Sequence, residues 1–434
     1  MLAPVPWGSN RDPIWLLQGA VLSLLLLTAV WVIPGERWRQ TFDRYRWPLL
    51  LLAGWLAFGL LQLVPLPGAG SVSLDVFASA TVWLQSVLLC LLLLLVLVLL
   101  ERPSRLAALA LAMVLAGFVQ AFYGSLMVLS GTEWLVLEKK TYGIGLATGT
   151  FVNRNHLAGL LNTCLALGVG LLVGQVLRGH GAAGGSGVRR FLKWLFGPQA
   201  RLRLMLVVLV IGLVLTHSRM GNAGFFLSLG LVAVLALWRL RPLPRGLLVL
   251  LLTLVLVDLA VVGSWFGFEQ VVARMTETGQ STAESTNLGD VDRLNISRET
   301  LAAARDYLWL GSGGGTFEQL FPAYRPVDLR KTYDHAHNDY LEFLLEYGLV
   351  GSAFLLGFAA LALRSAWRAL NRRRNPLLRG LALGGLMACA AAALQAWVDF
   401  NLHIPACAAF LMLTLALMMA SERVPTPVRK SVNF

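Results

Sequence analysis

Residues 333–340 read YDHAHNDY and place two of the chain's six histidines two positions apart, among two aspartates and an asparagine. An imidazole is the side chain best matched to accepting a proton near neutral pH. His337, expected on the first helical turn and facing inward, is a candidate to take a proton. The segment runs directly into an apolar stretch. Asp334 or His335 is expected near the helix start, and His337, Leu341 and Leu344 then follow at helical spacing. Capping residues beside one satisfied histidine would give the same letters. A metal site would need a third strong ligand at fixed spacing, and none accompanies the pair. An i, i+2 pair also points its side chains apart on a helix.

Three other polar groups interrupt apolar sequence. TGTFVNRNHLAGLL (148–161) sets Asn153, Arg154, Asn155 and His156 in a row at the start of an apolar run. An arginine at a helix end can snorkel as an anchor, but four consecutive polar residues exceed what anchoring requires. THSRMGN (216–222) joins two apolar runs with almost no loop and carries His217, Ser218 and Arg219. It reads either as a tight polar turn or as an arginine held to bind an anion. Arg293, Arg298, Arg305, Arg325, Arg330 and Lys331 follow in a long polar segment, where most are ordinary solvated charge; Arg293 and Arg325 flank its helical part and Gly-rich turn. WVDFNLHIP near the C-terminus adds Asp399, Asn401 and His403, read first as a polar turn and second as supporting contacts. Guanidinium forks match phosphate oxygens. Arginines gathered near a histidine outline the transfer of a group from a lipid-linked pyrophosphate to a hydroxyl.

The elements that must position these residues are membrane helices. The 434 residues are 57% hydrophobic and only 14% charged, against about a quarter charged in soluble domains. Apolar runs long enough to cross a bilayer recur near 14–33, 48–66, 79–100, 106–130, 152–176, 203–217, 220–238, 246–266, 338–363, 378–399 and 403–420. This is an all-α polytopic membrane protein with about 11–12 transmembrane helices. Most of the 36 Lys and Arg fall in alternate gaps between the runs, which makes those gaps cytoplasmic. The net charge of +13 is thereby explained without nucleic acid. By the same parity the N-terminus and the segments 67–78, 131–150, 267–337 and 400–404 lie outside. The first apolar run lacks a basic leader and reads as a retained helix. The four cysteines lie within apolar runs and suggest neither disulfides nor zinc.

The organisation expected is transmembrane helices 1–8 over 1–266, an outer cap over 267–337, helices 9–11 over 338–420 and a cytoplasmic tail over 421–434. Within the cap, 277–290 looks flexible, 292–309 carries helical periodicity, and GSGGG (311–315) breaks the chain. GHGAAGGSG (179–187) reads as a cytoplasmic linker.

FVNRNHLAGLL, HSRMGN, the segment from Arg293 to GSGGGTF, and HAHNDYLEFLLEYGLVG, in this order and on one face, resemble the O-antigen ligase and polymerase superfamily of bacterial envelope glycosyltransferases. The resemblance covers roughly residues 140–360. It implies a C-type glycosyltransferase-like fold in the inner membrane with a helical periplasmic cap, and a periplasmic site that works without metal or other cofactor. The donor it implies is an undecaprenyl-pyrophosphate-linked glycan. The acceptor is a lipid A–core sugar for a ligase, or another lipid-linked glycan for a polymerase. Carried over by motif, Arg154, Arg219 and Arg293 bind pyrophosphate and His337 is the catalytic base. DRLNISRET departs from the usual family pattern, which leaves Arg298 as the alternative to Arg293. His335, Arg325, Asn153, His156, His217 and Asn338 are further candidates.

A ligase is favoured over an O-antigen or exopolysaccharide polymerase. A ligase that glycosylates proteins is a smaller alternative. A lipid or glycolipid transporter would also place polar residues at broken helices, but no internal repeat and no mid-membrane charge supports it. An intramembrane protease using Ser218 lacks the glycine-framed setting of an exposed nucleophile.

Overall fold

A computed structural model describes residues 4–5, 7–65, 70–136, 138–179, 198–239, 283–325 and 333–425. The chain is all-α and multi-pass: nine of the described helices are long and apolar enough to cross a membrane. In chain order the helices are α1 (Asp12–Val32), α2 (Gly35–Leu63), α3 (Val76–Leu99), α4 (Pro103–Ser130), α5 (Arg154–Gly179), α6 (Pro198–Leu215), α7 (Arg219–Arg239), α8 (Ala283–Asp306), α9 (Phe317–Leu320), α10 (Asp339–Arg372), α11 (Pro376–Gln395) and α12 (Pro405–Arg423). Among the described residues the only sheet is a two-stranded pair, β1 (Trp134–Leu135) and β2 (Glu138–Lys139). The expected span at 246–266, the glycine-rich linker after Gly179, Arg330 and Lys331 lie outside the described residues.

Ten expected spans coincide with helices, and the differences have local causes. Helix α2 begins at Gly35, well before the apolar run. Its first part is the polar GERWRQTFDRY, joined to the apolar part through a break at Tyr45 (φ −116°, ψ 20°) three residues ahead of Pro48. Apolar content marks where lipid is crossed, whereas helix continues into the aqueous flank wherever no breaker stops it. Helix α10 likewise continues to Arg372.

Helix α5 is the hub, with 94% of its membrane window buried inside the protein. It packs backbone to backbone on α11. A Cβ at Gly380 would meet the Gly170 carbonyl at 2.2 Å, and one at Gly384 would meet the Ala166 carbonyl at 2.6 Å. The spacings Gly170–Gly174 and Gly380–Gly384 are small-xxx-small patterns that let helices approach this closely without a hydrophobic driving force. This packing fixes the polar start of α5 against the turn that follows α11.

The cap docks through a break in α10. Gly348 has φ 59° and ψ −168°, a region essentially restricted to glycine, so the helix is interrupted nine residues after it starts. The interruption frees backbone groups that must find partners. The cap segment supplies them. Amides of Ser312 and Gly313 donate to the carbonyls of Leu345 (2.9 Å) and Glu346 (3.0 Å), and the amide of Leu349 donates to the carbonyl of Leu308 (2.7 Å). The Gln62 amide of α2 donates to the carbonyls of Leu310 (2.7 Å) and Glu346 (2.9 Å). A Cβ at Gly311 would lie 2.1 Å from the Glu346 carbonyl, so GSGGG is less a flexible break than a docking turn. Ile296, Ala303, Ala304, Phe317 and Phe321 close a small core under the cap, together with Ala336 and Leu345. Helix α8 starts at Ala283, so residues 283–290, expected to be flexible, are helical; a helix pinned by packing at 296–304 extends at little further cost.

Candidate functional site

The main departure from the sequence reading concerns His337. Helix α10 starts at Asp339, not near Asp334 or His335, with Asn338 as its N-cap accepting the Leu341 amide at 3.2 Å. His337 therefore precedes the helix instead of occupying its first turn, and it adopts φ 50°. Positive φ is uncommon for residues other than glycine and marks strained, over-determined positions. Two of the five described non-glycine residues with positive φ are His337 and His217. The start of α10 is set from a distance: the Asp339 amide, unpaired within its own helix, donates to the carbonyls of Ala396 (2.9 Å) and Asp399 (3.2 Å).

That contact joins the start of α10 to the turn between α11 and α12, and Phe400 becomes the centre of a histidine cluster. The His335 ring stacks on Phe400 (4.1 Å between centroids, 18°), while His156 (4.7 Å) and His337 (5.0 Å) meet it edge-on. Around the ring lie the carboxylates. His337 Nδ1 is 3.7 Å and His156 Nε2 3.9 Å from one oxygen of Asp399. His335 Nδ1 is 2.6 Å from Glu342, whose other oxygen accepts the Ala336 amide at 2.8 Å. His403 Nδ1 is 2.8 Å from Asp339, and its Nε2 faces Glu342 (3.5 Å) and Glu346 (3.7 Å). Asp339, Glu342 and Glu346, at i, i+3 and i+7, share one buried face of α10.

These contacts set the protonation tendencies. Burial alone would raise the Asp399 carboxyl, but His337, His156 and the Phe400 amide outweigh it and hold the group below the ordinary carboxylate range. Burial pulls His403 down, yet the carboxylates of Glu342, Asp339 and Glu346 hold it well above an ordinary imidazole. His335 is raised in the same way: Glu342 overcomes its burial. His217 is lowered, by burial first and by Arg154 second. His337 Nδ1 is buried against Asp399 while its side chain is 20% exposed, so exchange with an outside group runs through Nε2.

The arginines form the second part. Arg154 is the first residue of α5 and Arg219 the first of α7. Arg154 lies within electrostatic reach of both Arg219 and Arg293, and His217 feels Arg154. Two helix N-termini, already positive, each carry an arginine where an acidic residue is the favourable choice. Such a place suits an anion. His156 lies two residues beyond Arg154 and reaches Asp399, which ties the arginines to the histidine cluster. Of the two cap arginines left open by the sequence, Arg293 is partly buried and near Arg154, whereas Arg298 is exposed; five residues apart on a helix, they point about 140° away from each other. Asn153 closes a turn, accepting the Asn155 amide at 2.9 Å, and Asn338 caps α10, so both act locally on the backbone.

The residues least visible in the sequence are Asp339, Glu342, Glu346 and Phe400. A signal was available: acidic residues entering a membrane helix are anomalous by default. Among the described residues the His335–His337 pair is not completed into a metal site, but His335 belongs to a different donor set. His335, Glu342 and His403 each present a ligand atom within 4.8 Å of the others, a donor set able to take a divalent cation, although Glu342 is also hydrogen-bonded to His335.

Residues 204–356 match the family model described as O-antigen ligase. The matched region contains Arg219, Arg293 and His337, while Arg154 and Asp399 lie outside it. No curated protein matches the chain.

Proposed function

From the match of residues 204–356 to the family model described as O-antigen ligase, we propose that the chain acts as a member of that superfamily and transfers a glycan from undecaprenyl pyrophosphate to an acceptor sugar hydroxyl at the periplasmic face of the bacterial inner membrane. The pyrophosphate is held by Arg154, Arg219 and Arg293. The acceptor hydroxyl loses its proton to Nε2 of His337 as its oxygen attacks the anomeric carbon. The bond to the pyrophosphate oxygen breaks with inversion, and undecaprenyl pyrophosphate leaves with the bonding electron pair. Asp399 orients His337 and supports the imidazolium that forms. The arginines stabilise the charge developing on the leaving oxygen, an electrostatic contribution commonly worth several kcal/mol. No step uses a metal.

The observation that carries this reading is the approach of Arg154 to Arg219 and Arg293, three guanidinium groups brought from separate elements. The acceptor proposed is the lipid A–core, which makes the protein a ligase; a polymerase would instead extend another lipid-linked repeat. The test is to disrupt the gene and examine lipopolysaccharide. Loss of every capped form is expected. A single repeat unit remaining on the core would identify a polymerase, and unchanged lipopolysaccharide and exopolysaccharide would overturn the reading.

A further inference from the structure

At the far end of the same helices lies a second charged site. From His403 to Glu422 is 19 residues, or about 28 Å along a helix, close to the thickness of a hydrocarbon core. There, beside the break in α2 and near the ends of α10 and α12, a cavity of about 240 Å³ is lined by Trp47, Arg364, Ser365, Arg368, Glu422 and Arg423. Its charge is unbalanced. Glu422 is shared between Arg368 (3.4 Å) and Arg423 (3.6 Å), so one carboxylate meets two guanidinium groups. Arg364 has no ion pair among the described residues and adds a third. Trp47, 59% exposed, and Leu361 add apolar surface to the lining, and Leu363, exposed, adjoins Arg364 on α10. Arg46 packs over the Trp47 ring at 5.0 Å, an arrangement suited to the headgroup level, where tryptophan concentrates.

We propose that this cavity binds the phosphodiester of an anionic glycerophospholipid, with the acyl chains running down the exposed face beside Trp47 and Leu363. Arginine forks recognise phosphate oxygens in pairs, basic pockets between membrane helices take anionic headgroups, and the surplus of positive charge excludes zwitterionic lipids as equal partners. The proposal is independent of the glycan chemistry at the opposite face.

The test uses the intact protein purified in neutral detergent, with lipid binding read by native mass spectrometry for phosphatidylglycerol, phosphatidylcholine and inorganic phosphate. Phosphatidylglycerol is expected to bind in clear preference to phosphatidylcholine. Arg364→Gln, at an exposed residue without an ion pair to break, should weaken it roughly fivefold, and Arg364→Gln with Arg368→Gln roughly thirtyfold. Arg102→Gln, a basic residue elsewhere, should leave it unchanged. Equal binding of the two lipids, unchanged binding in Arg364→Gln, or displacement of the lipid by equimolar inorganic phosphate would each overturn the proposal.

Discussion

Around Phe400 each histidine faces a carboxylate: His335 with Glu342, His337 and His156 with Asp399, His403 with Asp339. A short way along α5, Arg154 and Arg293 sit within electrostatic reach of each other and pair with no carboxylate among the described residues. One region balances its charge internally; the other leaves positive charge waiting. Like charges such as Arg154 and Arg293 kept together beside a helix N-terminus are unfavourable unless an anion arrives, whereas an imidazole held by a carboxylate is oriented and ready to take a proton. Under the proposed function, the first region would handle a proton and the second would receive a leaving group.

The sharpest way to break this division is to remove the proton acceptor. His337→Ala should lower transfer on the order of 10²–10⁴-fold, measured with purified lipid-linked donor, while expression and membrane insertion stay normal. Near-normal transfer would end the assignment of His337 as base. Removing one arginine should have the next largest effect. Arg293→Ala or Arg154→Ala is expected to reduce the rate roughly 10²–10³-fold, and Arg→Lys to restore only part of it, because a lysine cannot offer the bidentate fork. An Arg→Lys variant equal to the native protein would show that bare charge suffices. Asp399→Asn keeps His337 but removes the carboxylate behind it. The loss should be about 10- to 100-fold, the size seen when a partner orienting a functional histidine is removed, and an unchanged rate would show that Asp399 serves only the fold.

The transmembrane helices were legible because lipid demands long apolar runs, and the arginines because charge at such a boundary is conspicuous. The backbone around His337 was not. Asp334, Asn338 and Asp339 can all begin a helix, and local sequence does not choose among them. The choice is made by the carbonyls of Ala396 and Asp399, some sixty residues away. His403 read as part of a polar turn for the same reason, since its partners lie on α10. GSGGG was legible as a break, but its docking against Gly348 depends on two glycines meeting across the fold.

The internally balanced region should also respond to pH. His335 and His403 are raised by their carboxylates in the folded protein. A raised histidine binds more protons folded than unfolded. Its contribution to stability is therefore complete below the ordinary imidazole range, near 6.5, and is lost as pH rises through the folded value. The melting temperature should fall as pH increases from about 6.5, and the fall should be shallower in His403→Gln, whose neutral amide does not titrate. A melting temperature independent of pH would mean that the carboxylates are neutralised in another way.

The smallest effect expected comes from Arg298→Ala, and it sharpens the comparison most finely. Arg298 lies on the same helix as Arg293, carries the same charge and sits only five residues along. If the cap contributed only a diffuse positive field, the two arginines would matter about equally, and added salt would weaken both alike. If the waiting charge is instead a focused group at the start of α5, only Arg293 belongs to it. Arg298 is exposed, and its replacement should change transfer by no more than about twofold. Losing both activities to the same degree would replace a focused anion site with a field, and the roles of Arg154 and Arg219 would have to be reargued on that basis.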